Sequence, residues 1–268
     1  MDDICSAPSV VVGIDGSKAA VQAALWAVDE AVSRDIPLRL VYVINAIELS
    51  GEPGSDDARM AGARLALHDA SRAVAATGKP VKIETEILRG KPLNKLLHES
   101  ANAAMICVGS MGLNHARRGQ GSVAATLAGA ALCPVAVIHR DPKFGATPEV
   151  SAVVAEVDNG AVLRYAFAEA RLRGVPLRAI SVHPAEAPDD VGAHRTVEQP
   201  HLSRRLARWT RLYPDVQVES EVVHGHACRY MAHHAKTGEL LVTDAHAAQV
   251  CSVYNAGCSV LTVRCANL

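Results

Sequence analysis

Aromatic side chains are scarce in this sequence: Phe, Trp and Tyr make up 3% of its 268 residues, so aliphatic side chains and alanine must build its core. An excess of positive charge is missing too. Lys and Arg number 27 against 28 Asp and Glu, for a formal net charge of −1, which removes the electrostatic case for nucleic acid or an anionic membrane as partner. The most apolar run, GSVAATLAGAALCPVAVI at 121–138, consists largely of small residues and is broken by Pro134. It reads as a buried helix followed by a buried strand, not a bilayer span. The opening MDDICSAPSVVVG lacks a basic n-region and a long apolar stretch, so a cytoplasmic location is expected. The seven cysteines, at 5, 107, 133, 228, 251, 258 and 265, form no CxxC pair. Free thiols acting as small hydrophobes are expected, not a disulfide framework.

What the chain does contain is a repeat. Its length already favours two domains. WAVDEAVSRDIPLRLVYVI at 26–44 matches YAFAEARLRGVPLRAISVH at 165–183, offset 139, through Ala27/Ala166, Glu30/Glu169, Ala31/Ala170, Arg34/Arg173, Pro37/Pro176, Leu38/Leu177, Arg39/Arg178 and Val43/Val182. VKIETEILRG at 81–90 matches VQVESEVVHG at 216–225 at offset 135, and CPVAVIH at 133–139 matches CSVLTVR at 258–264 at offset 125. Three matches in the same order indicate a duplication. The copies are assigned to 1–143 and 144–268, joined near DPKFGATPE, where Pro142, Gly145 and Pro148 suit a linker.

Each copy alternates β-rich runs with helical patterns. In the first, the strands are expected at VVVGID, LRLVYVI, VKIETEIL, MICVG and PVAVIH, with a helix after each of the first four; Ser17 is placed to cap the first helix. Strands separated by helices require crossovers, which makes neighbours parallel. The predicted fold is therefore α/β: two tandem doubly wound, mostly parallel five-stranded sandwich domains.

In such sheets ligands bind beyond the carboxyl ends of the strands. GSMGLNHARRGQGS at 109–122 leaves the fourth strand and enters the fourth helix there. Glycines at 109, 112 and 121 let main chain approach an anion. Ser122, Val123 and Ala124 would present amides at a helix start, and Arg117 and Arg118 could add charge-assisted bonds. A loop of this composition also serves turn geometry alone, so both roles stay open. It is neither a Walker A loop nor the dinucleotide fingerprint. Asp15, at the end of the first strand, suits either a ligand donor group or the cap of the following helix.

VVVGIDGS at 10–17, the YVI end of the second strand, and VGSMG…GS ahead of PVAVIH resemble the universal stress protein family, in its tandem actinobacterial form. The resemblance implies an adenine nucleotide alpha hydrolase-like fold. It also implies a regulatory, stress-response role with ATP or a related adenine nucleotide as ligand, with or without Mg²⁺. By position it implies Asp15 against the nucleotide, the Val43 main chain at the adenine edge, and Gly109, Gly112, Gly121, Ser122 and Val123 around ribose and phosphates. An unidentified regulatory protein partner and a homodimer are further implications. Nucleotide-binding members carry G-2x-G-9x-G-[ST]; here only the eight residues Leu113 to Gln120 separate Gly112 from Gly121. A non-nucleotide-binding interaction protein and a slow ATPase are therefore the alternatives. No catalytic residue is assigned, because nothing specifies a general base for phosphoryl transfer.

The second copy lacks the loop. At offset 135, Asp244 stands where Gly109 does and Ala247 where Gly112 does, and ten residues are lost before Cys258. This copy is expected to be degenerate. HGHACRYMAHH at 224–234 has a metal-like composition without the paired spacing of a zinc site, so no metal is assigned. HLSRRLARWTRLYP at 201–214 reads as a solvated helix packing Leu202, Leu206 and Trp209 inward.

Overall fold

The computed structural model describes residues 8–45, 55–110, 123–139, 149–183, 191–224, 230, 234–245 and 257–264. The chain divides into two compact units, Met1–Pro148 and Glu149–Leu268.

The first unit runs β1 (Val10–Ile14), α1 (Lys18–Arg34), β2 (Leu38–Ile44), α2 (Ser55–Ala75), β3 (Ile83–Arg89), α3 (Pro92–Glu99), β4 (Met105–Gly109), α4 (Val123–Ala130) and β5 (Val135–Ile138). Its sheet has the order β3-β2-β1-β4-β5, and every pair in it is parallel. The strands β1, β4 and β5 are apolar runs, as expected of strands covered on both faces, and Val10, Val12, Met105, Ile106, Ala136 and Ile138 are fully buried. Each fully buried Val, Ile or Met side chain among these contributes about 1.5–3 kcal/mol of transfer free energy. The helix α1 lies on the sheet through Ala20, Ala23, Ala24, Ala27 and Ala31, and these small side chains permit close approach. Ser17 caps it by accepting from the Ala20 amide at 3.1 Å, and Asp35 ends it in the left-handed region at φ 52°.

The second unit repeats the plan: β6 (Ala152–Glu156), α5 (Gly160–Arg173), β7 (Leu177–His183), α6 (Val191–Leu212), β8 (Val218–His224), β9 (Glu239–Asp244) and β10 (Ser259–Val263). Its order is β8-β7-β6-β9-β10, again with parallel pairs. The registers superimpose the copies: Val10 pairs with Leu38 and Met105, and Val153 pairs with Leu177 and Leu240. The matched helices also share an ion pair four residues apart on a buried glutamate, Glu30–Arg34 at 2.6 Å and Glu169–Arg173 at 3.1 Å; in the second both side chains are buried. Gly174, at φ 65°, closes α5 in the position that Asp35 holds after α1. On α6, Leu202 and Leu206 are buried, and Trp209 stacks on Phe167 with ring centroids 5.9 Å apart.

Candidate functional site

The order β3-β2-β1-β4-β5 reverses direction between β1 and β4, because β1 leads outward to β2 and β3 while β4 leads the other way to β5. The crossovers leaving these two strands go to opposite sides, so a crevice opens beyond their carboxyl ends. Asp15 follows β1 and Gly109 ends β4, so both lie at this switch point.

Asp15 is half-buried, and its Oδ1 accepts the Ser17 amide at 2.9 Å. Gly16 has φ 84°, a left-handed conformation that glycine adopts without strain. The aspartate therefore closes the turn into α1, while Ser17 caps the helix itself. Holding one carboxylate oxygen by a main-chain amide fixes the direction in which the other projects.

The main chain of β2 alternates in direction. Leu38 donates to the Lys82 carbonyl at 2.8 Å and Ile44 accepts from Gly90 at 2.9 Å, so even-numbered residues of this strand bond toward β3. Pro37 accepts from Val10 at 3.0 Å, so odd-numbered ones face β1. Val43 therefore presents its main chain on the β1 side, one residue past the last registered pair, Ile14–Tyr42.

Gly109 has a steric reason to be glycine. A Cβ built on it would lie 2.7 Å from the carbonyl carbon of Ala19, 2.8 Å from its Cβ and 2.9 Å from its oxygen. The first turn of α1 occupies the space a side chain would need. The next residue, Ser110, is tied to β5 twice: its amide donates to the Ile138 carbonyl at 2.9 Å, and its Oγ lies 3.4 Å from Nδ1 of His139. Val123 opens α4 and is 41% exposed. Gly112, Gly121 and Ser122, together with Arg117 and Arg118, lie outside the described residues. The structure thus brings Asp15, Val43 and Gly109 to one edge of the sheet, with the start of α4 entering from the segment that follows β4.

The corresponding edge of the second unit is acidic. Counting along the registers from Val153 and Val10 puts Glu156 where Gly13 stands, Asp158 where Asp15 stands and Asp244 where Gly109 stands. Burial first, and then the charge of Asp244, push the Glu156 carboxyl above its ordinary range. Asp158 pairs with Arg205 of α6, and Asn159 takes over the capping role, accepting from Ala161 at 2.9 Å and Val162 at 3.4 Å. In the frame of the matched helices α5 begins three residues later than α1; the two have 14 and 17 residues. The turn that crowds Gly109 thus has no counterpart, which is why the second copy tolerates a side chain at Asp244.

Two features escaped sequence reasoning. The Glu156–Asp244 pair joins residues 88 apart in the chain, which only the packing of β6 beside β9 brings together. The Ser110–His139 contact joins residues 29 apart, and the available signal was that the second copy has Ala245 and Arg264 in their places. Most of the histidine-rich stretch at 224–234 lies outside the described residues; among the described residues no group of three or more His, Cys, Asp or Glu could hold a metal ion. Cys107, Cys133 and Cys258 are free and buried, and burial pushes the Cys133 and Cys258 thiols up to about 11. No helix among the described residues is long and apolar enough to cross a membrane.

Comparison with known proteins agrees with this architecture. A universal stress protein of Mycobacterium tuberculosis strain H37Rv is 64% identical over 272 residues, covering 100% of both chains. Another universal stress protein of that organism is 42% identical over 277 residues, covering 96% of each. Among solved structures, a universal stress protein from Archaeoglobus fulgidus covers 97% of both chains with a TM-score of 0.65 at 16% identity, a likeness of fold. The family model for universal stress proteins matches residues 8–139, the segment that holds the switch-point site. The chain belongs to the universal stress protein family.

Proposed function

We propose that the first domain, residues 1–143, binds ATP or a related adenine nucleotide, and that the second, 144–268, is a degenerate copy retained for packing. Asp15 meets the ribose or helps to hold Mg²⁺, the Val43 main chain meets the adenine edge, and Gly109, Gly112, Gly121, Ser122 and Val123 surround ribose and phosphates. In this reading the chain is a cytoplasmic stress-response regulator, and nucleotide occupancy alters the surface offered to a regulatory protein partner.

The observation that carries the reading is the meeting of Asp15, the β1-facing main chain of Val43 and the β4 end at one topological switch point. The donor chemistry fits a nucleotide. An oriented carboxylate matches ribose hydroxyls, and main chain at the β1 side of β2, just past the last strand pair, matches the edge of a purine. The corresponding edge of the second unit, with Glu156 and Asp244 in place of glycines, would repel phosphate.

One observation favours a second reading, a protein interaction module without ligand: the eight residues between Gly112 and Gly121 are one fewer than the family pattern has. Titration calorimetry of the full chain with ATP and Mg²⁺ separates the two. The nucleotide reading expects one ATP per chain, binding weakened about tenfold or more by Gly112→Val, and a smaller loss in Asp15→Ala. Absence of heat at high micromolar ATP would refute it, and two ATP per chain would refute the degenerate second copy.

A further inference from the structure

We infer that Ser110 and His139 form a positioning pair for the nucleotide site, holding the start of the glycine stretch against β5. The inference rests on the nucleotide reading and goes beyond it in assigning a role to two residues outside the glycine pattern.

The geometry comes first. Ser110 follows Gly109 directly, so its position decides where the main chain departs from the switch point. Its amide bonds the Ile138 carbonyl at 2.9 Å, which alone leaves the residue able to swivel about that bond. The contact from Oγ to Nδ1 of the adjacent His139, at 3.4 Å, adds a second point of attachment on the same strand end. Two contacts at different atoms fix orientation as well as place. The entropy of ordering this residue is then lost on folding and not on ligand binding, which raises affinity without any added ligand contact.

The duplication supplies an independent observation. The registers place Ala245 at the position of Ser110 and Arg264 at that of His139. Both members of the pair are replaced in the copy that also lacks the entry glycines and ten residues of the following segment. Neither replacement interrupts the sheet, since β9 and β10 pair in register from Ser259–Leu240 to Val263–Asp244. The contact is thus dispensable for building the sheet end, and it is absent where the loop is absent.

The test is ATP titration of the full-length parent, Ser110→Ala, His139→Ala, His139→Asn and the double variant Ser110→Ala/His139→Ala, with thermal unfolding of each. Each alanine variant should weaken ATP binding about fivefold, the scale of one net hydrogen bond, with little change in melting temperature. The double variant should be no weaker than the single ones, because the first change already breaks the pair. Asparagine places an amide near the position of Nδ1 and should recover most of the affinity. Binding by both alanine variants within twofold of a parent that binds ATP overturns the pair while leaving the nucleotide reading intact. Additive losses, or an asparagine variant as weak as the alanine one, also overturn it. A parent that binds no ATP overturns both.

Discussion

Substituting Gly109 by alanine should destabilise the first unit through sterics alone, with no ligand present. The added methyl carbon would sit 2.7 Å from the carbonyl carbon of Ala19 and 2.8 Å from its Cβ, whereas relaxed carbon contacts lie near 3.5–4.0 Å. About 0.8 Å of overlap must be relieved by moving either the end of β4 or the first turn of α1. Neither moves freely. The strand is held by the Ser110 amide bond to Ile138, and α1 is fixed by the Ser17 cap and by fully buried Ala23, Ala24, Ala27 and Val28. Overpacking of this kind costs about 2–3 kcal/mol. For a unit of this size that corresponds to a fall of roughly 5–10 °C in melting temperature. The assay uses the two tryptophans, Trp26 in α1 and Trp209 in α6. In a Trp209→Phe background, fluorescence reports on Trp26, which is 1% exposed and lies two turns further along the same helix. Asp244→Ala serves as the control, because the second unit has no helical turn opposing that position. A Gly109→Ala melting temperature within 1 °C of the parent would refute the steric account and leave ligand approach as the only reason for glycine there.

Truncating Glu169 to alanine should cost about 3 kcal/mol in urea unfolding, since it removes a buried charged partner of Arg173, whose side chain is 7% exposed. Asp56→Ala, which breaks the exposed Arg89–Asp56 pair, should cost less than about 1 kcal/mol, and equal losses would contradict the role given to burial. The raised pKa of Glu156 means that the folded second unit binds more protons than the unfolded chain between the ordinary value of 4.5 and the folded one. Its stability should therefore fall as pH rises through that window, and Glu156→Gln should flatten the slope when amide exchange of β6 and β9 is followed by mass spectrometry. A slope unchanged in that variant would remove Glu156 as its source. Cys133 and Cys258, with thiols near 11, should resist a disulfide reagent at pH 8 in the folded protein and react on unfolding; rapid labelling in the native state would contradict their burial.

The alternation of apolar runs with alanine-rich helical patterns made the doubly wound plan legible, because parallel strands need crossovers and both faces of the sheet must be apolar. The cap at Ser17 was legible for the same local reason, as a hydroxyl before a helical pattern. Gly109 shows where local reading stops. From the sequence it belongs to a glycine-rich loop, and only the packed structure sets Ala19 against it across 90 residues of chain. The Glu156–Asp244 pair was hidden for a related reason. Its members sit on neighbouring strands 88 residues apart, and only the pairing of β6 with β9 brings the two carboxylates together.

The later start of α5 bears on whether the second unit could be converted to bind nucleotide. Restoring glycine at position 244 removes one charge and opens space beside α5, but Glu156 would still stand where Gly13 does, and Asp158 would still be engaged by Arg205. Removing those carboxylates would in turn leave a sheet edge whose following segment is ten residues shorter than the one that carries Gly112, Gly121 and Ser122. Each change depends on the others: Asp244 requires the later start of α5, and the later start of α5 withdraws the turn that Asp15 and Ser17 build in the first unit. Asp244→Gly, alone or with Glu156→Gly, should therefore leave the stoichiometry of ATP at one per chain. A second equivalent of ATP in calorimetry of that double variant would show that charge alone separates the two copies and that the coupled backbone changes are incidental.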